Sequence, residues 1–299
     1  MKIENTKVFN FEGAFRGMRN PLDSWNKSDS DFGMFKWDDD GEDPAWAVAL
    51  SYLSPEEQNA WEYEADIEVE KEIEKHFDWL LIQGLYNATD YEGCYAYIGK
   101  KDLELAQRLI KAGPEHRKFL RQIFVSFDIT APFYWWKEFD TYKVGTVANS
   151  CSTMHKLASY PITIDSFELG DYDPKLIVEM GIDDSGDNPY EYTIPMEDII
   201  GTNEKEFYYA ETFIGFLESL RKKYLETKDK RYWKELVRWL PEGYLQKRTI
   251  TLNYENLRSM YLQRKNHKLS EWHYFCDWIK TSLPYAEELI TYGLDDAEN

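Results

Sequence analysis

Apolar and polar positions change their period several times along the chain, and each change predicts an element. Lys7-Val8-Phe9-Asn10-Phe11 alternates with a period of two, which predicts a strand within residues 1–25, followed by a short mixed segment. Residues 26–43 turn acidic and loop-like, with Asp38-Asp39-Asp40-Gly41 near their end and Phe32, Phe35 and Trp37 interrupting them. Ser54-Pro55-Glu56-Glu57 sets Pro at the first helical position and acids in the first turn. That helix is expected to run through Trp61, Ile67, Val69, Ile73 and Phe77 to about Leu85, with Gly84 and Asn87 near its end. A second helix is expected from Lys101 to Ala112, stopped by Gly113-Pro114.

Residues 122–129 alternate like a strand with one buried face, and Ala131-Pro132 closes it. Pro132 then opens a strongly apolar helix through Phe139. Residues 160–207 hold Pro, Gly and many acids, including Gly170-Asp171-Tyr172-Asp173-Pro174, and read as a long, partly ordered loop with one short helix. The remainder is expected to be helical: Glu206 to Thr227, Lys230 to Leu240, Asn253 to Leu283, and a short last helix after Pro284. The whole reads as an α+β fold, mostly helical with a small sheet, in one domain over 1–299 with insertions at about 26–97 and 160–207.

Composition narrows the class. The chain has 299 residues, 43% hydrophobic and 16% aromatic, enough to bury a core and too apolar for a disordered chain. No apolar run approaches the roughly 20 residues of a membrane span. The first residues lack the apolar core of a signal peptide, so the sequons at Asn26 and Asn87 read as coincidental. Cys94, Cys151 and Cys276 are odd in number and far apart, which favours a reduced, cytoplasmic setting.

Charge changes the picture only after it is divided. The net charge of −20 argues against a nucleic-acid or membrane-surface partner. Residues 215–268, however, carry 14 Lys or Arg against 6 Asp or Glu, a net of +8, leaving −28 for the remainder. Such a segment suits a phosphate-bearing small ligand, and equally suits solvated helix faces laced with ion pairs. There is no phosphate-loop, dinucleotide-binding, His-Glu-x-x-His or Gly-x-Ser-x-Gly motif. The five histidines include no i, i+4 pair, and the aspartates at 38–40 lack calcium-loop spacing, so no metal site is expected.

One constellation carries chemistry. On a continuous helix from Asn253, the residues Leu257, Tyr261, Arg264, Lys268, Trp272 and Phe275 fall within an arc of about 80°. Two cations on an apolar stripe either meet an anion or snorkel to water along their stems.

Two stretches resemble the flavin-dependent thymidylate synthases (ThyX). The first is Phe127-Asp128-Ile129-Thr130-Ala131-Pro132 with Tyr142 to Met154. The second is Leu240-Pro241, Asn253, then Asn256-Leu257-Arg258-Ser259-Met260-Tyr261-Leu262-Gln263-Arg264, and on to Glu271-Trp272. In that family a strand ending in Ala-Pro leads through a short helix into the signature Arg-His-Arg-x-x-Ser-x-Asn-Glu-x-Ser-x-Arg-Tyr. Counted without gaps, the signature's Arg-His-Arg becomes Thr141-Tyr142-Lys143, its first Ser Thr146, and its Asn-Glu Ala148-Asn149. The Ser beside the substrate becomes Cys151, and the final Arg-Tyr becomes Thr153-Met154. A shift of one residue recovers Asn149 and Ser152 and loses the rest.

The resemblance implies a ThyX-like α+β fold and a homotetramer. It also implies reductive methylation of dUMP or a related pyrimidine deoxynucleotide monophosphate, with FAD, NADPH and methylenetetrahydrofolate. On the substrate side it implies Arg264 as phosphate anchor with Lys143, Arg238 and Ser152. On the cofactor side it implies Asn253, Lys268, His116, Tyr142 and Asn149, with His267 or Lys268 near the family's late-helix His. Arg264 and Cys151 take the catalytic positions. The family's chemistry needs no enzyme nucleophile, so Cys151 is expected to be small, buried and inert. The signature's positive charges are mostly gone, Lys143 alone remaining, which predicts weak flavin binding. Two functions stay open: a divergent flavin-dependent enzyme, and a nucleotide-binding protein without flavin chemistry.

Overall fold

The computed structural model describes residues 1–34, 94–170 and 208–294. The first part of the chain forms β1 (Lys2–Phe9), α1 (Phe11–Arg19), β2 (Asp31–Met34), β3 (Cys94–Tyr97), α2 (Lys100–Ala112), β4 (Phe124–Pro132) and α3 (Phe133–Phe139). Then follow β5 (Val147–Ser150), α4 (Thr153–Lys156), α5 (Tyr208–Thr227), α6 (Lys230–Trp239), β6 (Leu245–Asn253), α7 (Tyr254–Arg264) and α8 (Ser270–Ser282). A π-helical turn, Ala286–Ile290, ends the described chain's regular structure. The helix expected from Ser54 to Leu85, the acidic run at Asp38–Asp40, Asn87 and the loop beyond Gly170 lie outside the described residues.

The strands β1, β4, β6 and β5 pair in that order in a small antiparallel sheet, and β2 pairs with β3 separately, from Asp31 opposite Tyr97 to Met34 opposite Cys94. Two compact units divide the chain. One holds Met1–Lys2, Ile129–Thr141 and Asn149–Arg248; the other holds Ile3–Asp128, Tyr142–Ala148 and Thr249–Asn299. The division falls inside both β4 and β6.

β4 follows from its alternation. Val125, Phe127, Ile129 and Ala131 are buried while Ser126, Asp128 and Thr130 stand toward the other face. In the larger unit Asp128 accepts from Thr249 Oγ1 at 2.6 Å and from Asn5 Nδ2 at 2.9 Å, so the polar face is also bonded. β1 does not run to Phe11 as its period suggested. Asn10 takes a left-handed conformation (φ 70°) and its Nδ2 donates to the Gln122 carbonyl at 3.0 Å, ending the strand. Phe11, Ala14, Phe15 and Met18 then fall on one buried helical face. α2 stops where Gly113 supplies a positive φ of 112°.

The last turn of the larger unit is held by cations on α7 and after it. Arg258 Nη1 donates to the carbonyls of Ile290 at 2.7 Å and Tyr292 at 2.9 Å, and Lys265 Nζ donates to that of Leu294 at 2.9 Å. Burial, with Arg117 adding to it, pushes the Arg258 guanidinium down to about 10.

In the smaller unit, α5 and α6 pack on a core of Leu157, Ile162, Phe167, Leu217 and Leu236. Lys228 (φ 57°) and the Asp229 cap, which accepts from Arg231 N, turn the chain between the two helices. Trp135, Trp136 and Phe139 of α3 are fully buried; Trp135 stacks on Phe139, and Trp136 meets both rings edge to face. In the described part of the loop expected from 160, residues 160–170, Thr163 and Ser166 form a capping box on a short 3₁₀ turn.

Two expectations about the late helices need correction. Between α6 and α7 lies a nine-residue strand, β6 (Leu245–Asn253), preceded by a turn at 240–244. The helix expected from Asn253 to Leu283 is two helices, broken at 265–269. There the His267 N–H donates to the Arg264 carbonyl at 3.0 Å, and His267 Nδ1 accepts from Leu269 N at 3.2 Å. The break carries Lys268 into solvent, which removes it from the stripe it was expected to share.

Candidate functional site

The expected phosphate anchor sits at the end of α7 in the larger unit. Asn253 caps that helix, its side chain accepting from Asn256 N at 3.0 Å, which suits the short polar residue found there. Eleven residues later, Arg264 is half-buried. Its Nε–H donates to the Tyr142 hydroxyl at 2.9 Å. Its guanidinium carbon lies 4.7 Å from the Trp272 ring centre and 5.6 Å from that of Tyr142. The two rings meet edge to face at 6.2 Å. The break between α7 and α8 is what folds Trp272 back over Arg264.

Tyr142 is itself held. Its hydroxyl donates to Gln263 Oε1 at 3.2 Å, and Gln263 Nε2 donates to Ser259 Oγ at 3.0 Å. A tight turn follows it, with Thr146 N reaching the Lys143 carbonyl at 3.5 Å and Gly145 at φ 75°. Asn256 Nδ2 donates to the Val144 carbonyl at 2.7 Å, which fastens this turn to the first turn of α7. A planar, permanently charged guanidinium with aromatic walls and one nitrogen already directed is suited to meeting a phosphate or carboxylate.

Tyr142, Asn253 and Arg264 thus belong to one linked set. Lys143 lies in the same turn with its side chain in solvent; Lys268 and His116 are exposed elsewhere in the unit. The smaller unit holds the rest. Arg238 is an exposed helix residue paired with Glu235 of the preceding turn. Asn149 is exposed on β5, and Ser152 precedes α4 and accepts at its carbonyl from Lys156 N at 2.8 Å. Cys151 is exposed, contrary to expectation. Its backbone N–H donates to the Lys247 carbonyl at 2.8 Å and its carbonyl accepts from Gln246 Nε2 at 2.9 Å, so the edge strand turns its side chain outward.

No protein-family model matches the sequence, and no curated protein matches it. Solved structures do. Two structures of the flavin-dependent thymidylate synthase ThyX from Helicobacter pylori, each with FAD and dUMP, align over 97% and 98% of this chain. They are covered over 98% and 99% of their own length, at TM-scores of 0.50 and 0.51 and 14% identity. The fold is ThyX-like.

On this ThyX-like scaffold the signature segment can be tested against FAD. A diphosphate asks for several cationic or N–H donors. Thr141 Oγ1 already donates to the Glu138 carbonyl at 2.7 Å, and Tyr142 is committed to Gln263 and Arg264. Lys143 is the one cation between Thr141 and Met154. This set does not fit the charge of FAD. Among the described residues no group of His, Cys, Asp and Glu could hold a metal ion, and no helix is long and apolar enough to cross a membrane.

Sequence reasoning named Asn256 only within the matching stretch, without a role, and passed over Gly145. A second Asn in the first turn of α7, and a lone Gly two residues after Lys143, were the available signals.

Proposed function

We propose that this chain is a divergent ThyX-type protein that binds a pyrimidine deoxynucleotide monophosphate, with Arg264 meeting the phosphate. The observation that carries the reading is the setting of Arg264, half-buried between two aromatic rings and oriented by the Tyr142 hydroxyl. The dUMP found in structural neighbours of the same fold supports the ligand class. Calorimetric titration with dUMP tests it, and no heat of binding at millimolar ligand sinks it.

The finer reading, a methyl transfer to dUMP with FAD, NADPH and methylenetetrahydrofolate, draws support from the scaffold. The donor set of the signature segment weighs against it, and supports the alternative of a nucleotide-binding protein that has lost flavin chemistry. Flavin affinity at least about 100-fold below that of a signature-bearing relative needs only ~2.7 kcal/mol, less than the loss of several charge-assisted bonds. Protein purified yellow with stoichiometric flavin makes the enzyme the better reading. The same likeness supports a homotetramer, and exposed Phe213, Phe216 and Trp239 are surfaces that assembly could cover. Light scattering that returns a single 35.6 kDa particle at micromolar concentration contradicts it.

A further inference from the structure

We infer that Asn256 and Gly145 are positioning residues that set the orientation of Arg264 through Tyr142. The inference rests on the reading of Arg264 as the nucleotide anchor only for its consequence, not for its geometry. Asn256 stands at the opposite end of α7 from Arg264, eight residues earlier, or about 12 Å along the axis at 1.5 Å per residue. It reaches Arg264 by way of the turn at 142–146. Its Nδ2 donates to the Val144 carbonyl at 2.7 Å. A carbonyl can only accept, so this bond fixes which end of the amide is nitrogen. Oδ1 is therefore left as a buried acceptor without a hydrogen-bond partner. That costs free energy, and the cost is carried where the turn must approach closely.

Gly145 is what allows the approach. A Cβ at that position would lie 2.9 Å from Asn256 Oδ1 and 3.1 Å from Asn253 Nδ2, and φ there is 75°. Any side chain there strains the left-handed backbone and forces either the Asn256 amide or the turn to shift. The same turn begins directly after Tyr142, whose hydroxyl accepts the Arg264 Nε–H and whose ring meets Trp272. Pinning Val144 and Gly145 at one end of α7 thus places Tyr142 at the other. Neither pinning residue touches the guanidinium, so their role is to orient it.

The test reads the Arg264 Nε–H directly by ¹H–¹⁵N NMR of the full chain, the signal being assigned by its loss in Arg264→Lys. Asn256→Ala, Asn256→Asp and Gly145→Ala should each move that signal toward its solvent-exposed position and speed its exchange with water at least about tenfold. Asn256→Asp keeps the size and shape of the side chain and sets a charged acceptor against the Val144 carbonyl in place of the donor, so it breaks the bond without opening a cavity. Circular dichroism confirms that each variant is folded; should Asn256→Ala fail to fold, the other two carry the test. dUMP affinity should fall about 5- to 20-fold in the same variants. An unmoved Arg264 signal in folded Asn256→Asp and Gly145→Ala overturns the inference. A moved signal in a protein that never binds dUMP upholds the positioning role and refutes only the nucleotide reading.

Discussion

Two arginines in this chain lie over indole rings, one in each compact unit, and they are held in different ways. Arg248 sits 4.1 Å from the Trp136 ring centre. Its Nη1 donates to Asp140 Oδ1 at 2.7 Å and its Nε to Gln246 Oε1 at 3.0 Å. Arg264 sits 4.7 Å from the Trp272 ring centre, and its Nε goes to a neutral hydroxyl, that of Tyr142. The Arg248 guanidinium is paired with Asp140, the residue that caps the end of α3, as befits a structural tie. The Arg264 Nε–H is directed by the hydroxyl of Tyr142, the residue before a turn that Asn256 fastens to α7. Stacking on tryptophan is common to both; what differs among the described bonds is where Nε goes, to an amide oxygen in Arg248 and to a tyrosine hydroxyl in Arg264.

The contrast can be broken at its strongest point first. Arg264→Ala should weaken dUMP binding by about 1.5–3 kcal/mol, some 10- to 150-fold, the range for bonds to a charged group. Arg248→Ala should leave that affinity within about twofold. Equal losses in the two variants, read by calorimetry, erase the distinction. In stability the order reverses: Arg248→Ala should cost about 1–2 kcal/mol, from a lost cation–π contact and a partly buried ion pair. Urea unfolding monitored by tryptophan fluorescence reads that change.

Tyr142→Phe sharpens the comparison from the other side. It keeps the ring against Trp272 and removes the acceptor of the Arg264 Nε–H, so dUMP affinity should drop by about 0.5–1.5 kcal/mol. Unchanged affinity in Tyr142→Phe means that stacking alone orients the guanidinium.

The smallest effect belongs to pH and to the smaller unit. The hydrogen bonds from Arg221, at 2.6 Å, hold the Glu218 carboxyl below its ordinary value. A carboxylate lowered in the folded state adds stability that is fully present above its unfolded value, about 4.3, and lost as pH falls through the folded one. Glu218→Gln should therefore flatten the acid side of the stability profile below about pH 4.5 and leave the Arg264 site unaffected. A full acid limb in Glu218→Gln assigns the loss to other carboxylates.

Local chemistry decided much of this chain. Alternation at Val125, Phe127 and Ile129 is enough for β4, because a sheet with one wet face must sort side chains by parity. Gly113 ends α2, Pro132 opens α3 and Asn253 caps α7, because each depends only on a dihedral preference or a side chain reaching its own backbone. What failed in the sequence was whatever depended on partners distant along the chain. β6 pairs with β4 and β5 on its two sides, and its only period-two signal, Thr249-Ile250-Thr251-Leu252, is four residues long, too short to predict a nine-residue strand. The stripe through Arg264 and Lys268 assumed a straight helix, and a turn bonded by His267 bends the chain so that Trp272 returns to Arg264 while Lys268 meets water. Tyr142 arrives from 122 positions away, held by Asn256 and Gly145. Arg264 and Trp272 were legible as residue types on a late helix. Their apposition, and the hydroxyl that aims the guanidinium, were not, because hydrogen-bond direction and ring contact are set by three-dimensional approach and leave no trace in local spacing.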